Sequence, residues 1–160
     1  MAGVLLRDIE IGDAGWVIER HGRLYAEEEG YDATFEALVA EILADFIRRH
    51  DPACERGWIA ERDGVRLGSI FCVRVDADVA KLRLFLVEPA ARGTGLGRQL
   101  LEACLTFARE KGYRRMVLWT HASHKAACAL YAAYGFRMTE ETPTFDFGQQ
   151  VIDQIWQIEL

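Results

Sequence analysis

The amino-acid sequence has few cysteines, and none of them lies in the CxxC spacing typical of metal and redox sites. Its four cysteines are scattered over 160 residues. Three of them lie in apolar segments, where a free thiol behaves as a small hydrophobic side chain. The four histidines also show no metal-ligand spacing. The sequence therefore predicts no metal site and a reduced, cytoplasmic protein.

Long apolar runs and an excess of positive charge are absent as well. No apolar stretch is long enough to cross a bilayer, and the N-terminus lacks the apolar core of a signal peptide. The formal net charge of −6 argues against non-specific binding of nucleic acid and suits a cationic partner. We therefore expect neither a membrane nor a nucleic-acid partner.

What the sequence does contain is enough apolar material for one core, with 51% hydrophobic residues and no internal repeat or linker. We expect a single domain over residues 1–160, with the element order β-α-α-β-β-β-α-β-α-β-β. A long helix joins the strand at 82–87 to the strand at 115–120. This crossover makes the two strands parallel, so the fold class is α/β with a mixed sheet.

The ends of several elements can also be predicted. Asp13 and Thr34 are expected to cap the first two helices, and Ser123 is expected to cap the last one. The last two strands are expected to be separated by a loop over residues 142–149, which contains proline and glycine.

The central stretch of the chain is a strand, a glycine-rich turn and a helix. Leu82–Val87 is apolar and is stopped by Pro89, and the period of the apolar residues becomes helical from Leu96. Between them lies Arg92-Gly-Thr-Gly-Leu-Gly97, whose glycines let the backbone curl and turn its N–H groups towards one point. That point faces a helix N-terminus, which favours an anion. The stretch therefore predicts a phosphate-binding turn.

The spacing of the glycines restricts which kind of phosphate ligand the turn could bind. The GxxxxGK[ST] loop of kinases and ATPases needs a lysine that is missing here, and GxGxxG does not match either. The stretch does match [RQ]xxGxG, and so resembles the pyrophosphate-binding motif of the GNAT superfamily of acetyl-CoA-dependent acyltransferases. The alternative is a glycine-rich helix start that binds nothing.

The resemblance to the GNAT superfamily extends over nearly the whole chain. The element order is that of the family, and Leu130–Phe136 is similar to its LYxxxGF signature. Further segments resemble acyltransferase domains found fused to MarR-type DNA-binding regulators, although we expect no such DNA-binding domain in these 160 residues. Those segments are Gly15-Trp16, Arg20-His-Gly22, Leu24-Tyr-Ala26, Trp119-Thr-His121, Ser123-His124 and Gln154-Ile-Trp156.

The resemblance implies a coenzyme A site along the central strand and the turn. Backbone N–H groups of the turn would hold the pyrophosphate, and the free edge of the strand, splayed from its parallel neighbour, would pair with pantetheine. His124 stands where many members carry an asparagine, and could replace that contact or merely begin the helix. The implied cofactor-binding residues are Phe85, Leu86, Val87, Arg92, Gly93, Thr94, Gly95, Leu96, Gly97, Arg98 and His124.

Tyr131 matches the tyrosine that, in the family, protonates the departing thiolate. A phenol near the sulfur can act as a general acid. The alternative is a core aromatic on the inner face of a short helix, a place that Tyr134 could also take.

The acceptor side is less well defined by the sequence. The resemblance implies an acceptor cleft flanked by the loop between the first two helices and by the loop before the last strand. The substrate-binding candidates are Tyr25, Glu28, Glu29, His121 and Phe147. Acidic and aromatic side chains would suit a cationic amine, but the acidic run Glu27–Glu29 could equally be a solvated helix end. A general base must remove the proton of the amine. The sequence leaves three candidates acting through water, Glu28, Glu29 and Glu88, and His121 is either a base or a structural residue.

Together these features predict an N-acetyltransferase that transfers the acetyl group of acetyl-CoA to a primary amine of a small-molecule acceptor. No metal takes part, and a homodimer is compatible with the sequence. The alternative is a non-catalytic acyl-CoA-binding sensor module.

Overall fold

Seven strands form one mixed sheet in the order β1-β2-β3-β4-β5-β7-β6, with helices on both faces. The computed structural model describes residues 3–160. It confirms the predicted element order and the α/β class. The elements are β1 Leu5–Asp8, α1 Asp13–Glu29, α2 Ala33–Arg49, β2 Arg56–Arg62, β3 Val65–Arg74, β4 Val79–Val87, α3 Leu96–Glu110, β5 Arg115–His121, α4 Lys125–Ala133, β6 Arg137–Asp146 and β7 Gln149–Glu159.

The helices divide into two layers because successive side chains of a strand point to opposite faces. In β2, Trp58 belongs to the core cluster between the sheet and α3, and Ile59 belongs to the core cluster between the sheet and helices α1 and α2. On the α3 face, Leu100 and Leu101 are fully buried. On the other face, Val39 and Leu43 of α2 are equally enclosed. The sheet is thus covered on both faces at its centre.

The parallel pair β4–β5 is short and then opens, as the resemblance implied. Its strands pair only from Val79 with Arg115 to Lys81 with Val117. Beyond these pairs β4 carries a bulge, because Leu84 has a positive φ of 50° and the β3–β4 register shifts there. The Ser69 hydroxyl donates to the Leu84 carbonyl at 2.8 Å and holds the bulge. The two strands therefore splay apart towards Val87.

The prediction that Asp13 caps α1 is wrong. The N-cap is Gly12, in a left-handed conformation with φ 95° and no side-chain cap hydrogen bond. The fully buried Asp13 carboxylate instead accepts hydrogen bonds from Arg7 at 2.7 Å, from the Glu10 backbone N–H at 2.7 Å and from Arg66 at 2.8 Å. This residue ties the start of α1 to the edge of the sheet.

Two further caps differ from the sequence prediction. Asp32 caps α2, because its carboxylate accepts the Thr34 backbone N–H at 2.9 Å, and Thr34 itself lies inside the helix. At α4 the N-cap is His124, which makes no side-chain cap hydrogen bond, and Ser123 precedes it. A cap depends on which residue leaves helical geometry, and neighbouring polar residues compete for that place.

The predicted loop over residues 142–149 is also wrong, because β6 and β7 continue into it as one long hairpin. They are joined by a two-residue turn at Phe147 and Gly148, both with positive φ. Pro143 is accommodated because β6 is an edge strand, which leaves one side of its backbone unpaired. The hairpin tip docks on the α1–α2 connection through the Asp32 N–H, which donates to the Phe147 carbonyl at 2.9 Å.

Candidate active site

The turn between β4 and α3 presents a series of free backbone donors. Within residues 3–160, no carbonyl or side chain accepts the N–H groups from Gly93 to Arg98, and the first helical bond begins at Gln99. Gly93 and Gly95 have positive φ values of 77° and 87°, and a Cβ at either would meet no atom within 4 Å. The backbone of the turn therefore has free donors and open space beside it, as an anion site at a helix N-terminus requires.

The side chains around these donors are engaged elsewhere. Arg92 pairs with Glu28 at 2.8 Å, and the Thr94 hydroxyl donates to the Ala91 carbonyl at 2.5 Å. Leu96 is buried in the core, so only its N–H can face the turn. Arg98 is exposed, with its guanidinium 6.0 Å from the Tyr134 ring centre. The free hydrogen-bond donors of the turn are therefore mainly backbone N–H groups, because the Arg92 and Thr94 side chains already have partners.

A cleft of about 470 Å³ runs from this turn along the opened edge of β4, and we call it the coenzyme cleft. Phe85, Leu86 and Val87 of β4 line it together with the first turn of α4. Of the cofactor residues predicted from the sequence, it gathers Phe85, Leu86, Val87, Arg92, Gly93, Gly97 and His124. Thr94, Gly95, Leu96 and Arg98 lie outside its lining.

A second cavity of about 370 Å³, which we call the inner cavity, lies between α2 and the other half of β4. The coenzyme cleft and the inner cavity adjoin, because Tyr25, Phe85, His124 and Ala127 line both. Tyr131 lines the inner cavity beside this junction. A group held in the cleft and a group held in the inner cavity can therefore meet in front of Tyr131.

Tyr131 is fixed by its ring and left free at its hydroxyl. The residue is only 4% exposed, and its ring centre lies 5.6 Å from that of Phe136 and 6.2 Å from that of Phe85. Within residues 3–160, its hydroxyl has no hydrogen-bond partner. Burial raises the pKa of Tyr131 well above its usual value, so the hydroxyl keeps its proton at neutral pH. Tyr134, by contrast, donates to Glu102 on the surface.

A hydrogen-bonded series of side chains lies on the wall of the inner cavity. The Tyr31 hydroxyl contacts His121 Nδ1 and lies 3.1 Å from His124 Nε2. The other nitrogen of His124 lies 3.2 Å from the Thr120 hydroxyl. His121 Nε2 approaches an oxygen of Asp153 to 3.0 Å, although not in hydrogen-bond geometry. No local spacing in the sequence links Tyr31 to the two histidines, which lie 90 and 93 positions further along the chain.

Both histidines are held in the neutral form. Burial, together with the nearby His121, lowers the pKa of His124 to about 4, while Glu28 opposes the shift. Burial also lowers the pKa of His121, although Asp153 opposes that effect. Burial raises the pKa of Tyr25 to about 12, with Glu28 and Glu29 adding to the shift. Neutral imidazoles have a nitrogen that can accept a proton, and the lowered pKa values mean that neither ring holds this additional proton at rest.

The three carboxylates considered as bases from the sequence have different partners. Glu28 pairs with Arg92, and Glu88 is held by Arg20 at 2.5 Å in a two-bond contact. Glu29 lies 3.8 Å from His124 Nε2. Glu28 and Glu29 line the coenzyme cleft rather than the inner cavity.

Phe147 supports the inner cavity from behind. It is buried, and its ring centre lies 5.2 Å from that of Tyr31 and 5.0 Å from that of Phe35. It is absent from the lining of the inner cavity, whereas Tyr25 and His121 belong to it. Phe147 thus fixes Tyr31 and Phe35, which do line the cavity.

Sequence reasoning missed three side chains that line the inner cavity, namely His21, Lys81 and Arg83. His21 is buried with its Nδ1 2.8 Å from the Val17 carbonyl, and burial lowers its pKa to about 4. Its helical spacing with Val17 and Leu24 made it look like core. The two cations were detectable as charged residues in a strand that both helix layers cover.

Neither a metal centre nor a membrane span is present in the part of the chain that the structure describes. Over residues 3–160, no three His, Cys, Asp or Glu side chains are arranged to hold a metal ion. In the same residues, no helix is both long and apolar enough to cross a bilayer.

The known proteins to which this chain is similar are acetyltransferases. A family model described as "Acetyltransferase (GNAT) family" matches residues 18–136. Mycothiol acetyltransferase of Thermomonospora curvata is 33% identical over 138 residues, covering 84% of this chain and 44% of that protein. N-acetyltransferase 8B of Homo sapiens is 32% identical over 90 residues, covering 53% and 40%. The chain spans about half the length of the first curated relatives it matches, with shares of 53%, 44% and 51%.

Solved structures share the fold. The Salmonella typhimurium protein yncA, solved with its cofactor acetyl-CoA, superposes with a TM-score of 0.74 at 21% identity, over 99% of this chain and 95% of that one. A GCN5-related N-acetyltransferase from Kribbella flavida superposes with a TM-score of 0.76 at 23% identity, over 98% of both chains.

Proposed function

Because the chain belongs to the acetyltransferase (GNAT) family, we propose that it transfers the acetyl group of acetyl-CoA to a primary amine of a small molecule. One observation carries this proposal. The row of free N–H groups from Gly93 to Arg98 opens onto a cleft, and that cleft meets an inner cavity beside the unpartnered hydroxyl of Tyr131.

The residues of the turn fit a pyrophosphate. The N–H groups from Gly93 to Arg98 have no acceptor within residues 3–160, and the open space at Gly93 and Gly95 lets a bulky anion approach them. Arg92 could add a charge-assisted contact at the cost of its pair with Glu28. The opened edge of β4 at Phe85–Val87 would bind the pantetheine amides, and the bound cosubstrate would supply an acetyl thioester at the junction of the cleft and the inner cavity.

Tyr131 is proposed as the general acid. Its hydroxyl is protonated at neutral pH and is free to donate, since no described residue uses it. A donor at this place stabilises a thiolate as it leaves. The surrounding rings of Phe85 and Phe136 fix the ring of Tyr131, so the hydroxyl oxygen that carries the proton is held in one place.

The amine must lose a proton as it is acylated, and we propose that the His124–Tyr31–His121 series takes it. The Tyr31 hydroxyl joins the two imidazoles, so one proton can pass from His124 to His121. Asp153, 3.0 Å from His121, stabilises the positive charge at the far end. Glu29, 3.8 Å from His124, is a second carboxylate that could draw a cationic amine towards the junction.

The inner cavity supports a small acceptor. Its volume of about 370 Å³ lies within the range of small-molecule sites. Mycothiol acetyltransferase, one of the relatives, is named for a small molecule. Since the chain spans only 44% of the length of that protein, we do not assign the substrate of that protein to this chain.

Further expectations from the sequence remain proposals. We propose that residues 1–160 form a single cytoplasmic domain and that the chain is related to the acyltransferase domains fused to MarR-type regulators. In support of that relation, residues from its shared segments meet around the inner cavity, since Tyr25, Trp119, His121 and His124 all line it. The exposed edge strand β6 offers a surface for a homodimer.

The proposed function is tested by thiol release from acetyl-CoA with a panel of primary amines. Turnover of at least one amine, with the N-acetyl product identified by mass, is expected. Tight binding of acetyl-CoA without turnover of any amine would contradict the transferase and support an acyl-CoA sensor instead.

A further inference from the structure

The inner cavity contains two positive charges that the proposed chemistry does not use. Lys81 and Arg83 stand two positions apart on β4 and line the cavity together with Leu38, Val39 and Ile42 of α2. Both side chains are half-buried. Within residues 3–160, neither of them takes part in an ion pair or a side-chain hydrogen bond.

No side chain of the cavity balances these charges. Its lining residues, all in the described chain, include no aspartate or glutamate. Arg83 also borders a smaller cavity lined by Asp45 and Glu55. The Asp45 carboxylate lies 3.7 Å from Arg49, and Glu55 accepts the backbone N–H groups of Asp51 and Arg74. Half-buried cations without partners are unfavourable, and a bound anion removes much of that cost.

The pKa shifts of Lys81 and Arg83 agree with this excess of positive charge. Burial lowers the pKa of Lys81, and the charge of Arg83 lowers it further. Burial also lowers the pKa of Arg83, and the charge of Asp45 opposes that shift. Both shifts are of the kind that an anion in the cavity would reverse.

The pair lies away from the reacting end of the cavity. The junction with the coenzyme cleft is marked by Phe85, which follows Arg83 by two positions and Lys81 by four. On an extended strand these steps span about 7 Å and about 13 Å, and the bulge at Leu84 shortens them. Apolar and aromatic side chains make up most of the remaining lining of the cavity, among them Leu84, Phe35 and Tyr25.

We infer that Lys81 and Arg83 bind a carboxylate of the acceptor, so that the substrate is an amine joined through an apolar or aromatic segment to a remote carboxylate. This inference rests on the proposed function, since it places the amine at the junction beside Tyr131. The acceptor then bridges the length of the inner cavity, with its carboxylate on β4 and its amine towards the coenzyme cleft.

The test compares acceptors that differ only in the carboxylate. Two suitable pairs are ε-aminocaproate with hexylamine and para-(aminomethyl)benzoate with benzylamine. The wild type should have a kcat/KM roughly 10- to 100-fold higher for the carboxylate of at least one pair, the scale of one charge-assisted hydrogen bond. Binding of the same compounds to the protein, measured by calorimetry with coenzyme A present, should show the same preference without any turnover.

Variants assign the preference to the two cations. Lys81→Met and Arg83→Met should each remove most of the advantage of the carboxylate, mainly through KM, while kcat/KM for the neutral amines stays within about twofold. Arg109→Met is the matched control, because Arg109 is exposed on α3 on the opposite face of the sheet. It should leave both acceptors unchanged.

The possible results separate the two proposals. Equal binding and turnover of charged and neutral amines would overturn the carboxylate site and leave the transferase intact. Binding of carboxylates that needs Lys81 and Arg83, without turnover of any amine, would support the site and contradict the transferase. A carboxylate preference that persists in both variants would also overturn the assignment.

Discussion

Replacing Tyr131 with phenylalanine isolates the proposed acid, because the structure predicts that only chemistry is lost. Within residues 3–160 the hydroxyl has no hydrogen-bond partner, so its removal breaks no native hydrogen bond. The ring contacts with Phe85 and Phe136 remain. We expect stability to change by less than about 1 kcal/mol, or a few degrees in Tm for a chain of this size.

The expected loss in turnover is much larger. If Tyr131 protonates the thiolate, kcat should fall by roughly 10²–10⁴-fold, the usual contribution of a positioned acid. That fall corresponds to about 2.7–5.4 kcal/mol of transition-state free energy. The affinity for coenzyme A should change little, since Tyr131 lines the inner cavity and does not line the coenzyme cleft.

The assay is thiol release under saturating acetyl-CoA, with Tyr134→Phe as the matched control. Tyr134 lies three residues away, near the end of the same helix, and donates to the carboxylate of Glu102 on the surface. The control should keep its turnover within about twofold. A loss below about tenfold in Tyr131→Phe, or an equal loss in both variants, would refute the assignment of the acid.

Three other predictions follow from the site and the core. Tyr31→Phe removes the hydroxyl between the two histidines and should lower kcat by roughly 10- to 100-fold, with little change in acetyl-CoA affinity; an unchanged pH–rate profile and kcat would exclude the relay. Asp13→Ala leaves Arg7 and Arg66 without their buried partner and should destabilise the fold by about 3 kcal/mol, seen as a Tm lower by roughly 6–12 °C. Burial alone would raise the pKa of Asp13, but its hydrogen bonds from Arg7, Glu10 and Arg66 lower it from 3.8 to about 2. Its stabilising contribution is therefore present above pH 3.8 and lost as pH falls towards 2, so acid unfolding in that window should be weaker in Asp13→Asn, relative to its own stability at pH 7, than in the wild type.

Much of the fold could be predicted because its signals are local. The apolar face of α3 repeats with helical spacing, and three glycines mark the turn before it. The β4–turn–α3 unit and the parallel β4–β5 pair could therefore be predicted from the sequence. The 142–149 segment misled because Pro143 and Gly148 are turn formers in isolation. In the structure, pairing with β7 overrides that local tendency.

The coenzyme side of the site was more predictable than the acceptor side for a physical reason. Backbone donors of one contiguous turn can be recognised from a short motif, whereas the inner cavity is assembled from α1, α2, β4, β5 and α4. The contact of Tyr31 with His121 joins residues 90 positions apart, and the balance of charge around Lys81 depends on which acidic residues face elsewhere. Neither fact is encoded in local spacing.

In the proposed function, the turn before α3 holds the pyrophosphate of coenzyme A through its backbone. Calorimetric titration of coenzyme A into Gly95→Val tests it most directly, because the new side chain enters the open space in front of the donors. Gly112→Val is the matched control, since Gly112 has nearly the same positive φ, 85° against 87°, and equally open surroundings at the other end of α3. Both variants carry the same backbone strain of roughly 1–3 kcal/mol.

Gly97→Ala adds a variant without strain, whose Cβ would lie at ordinary contact distance, 3.5 Å from Leu130, inside the coenzyme cleft. The account predicts that Gly95→Val weakens coenzyme A binding by at least about 100-fold, that Gly97→Ala weakens it less, and that Gly112→Val binds within about twofold of the wild type. Equal affinity in the wild type and in a folded Gly95→Val protein would contradict it.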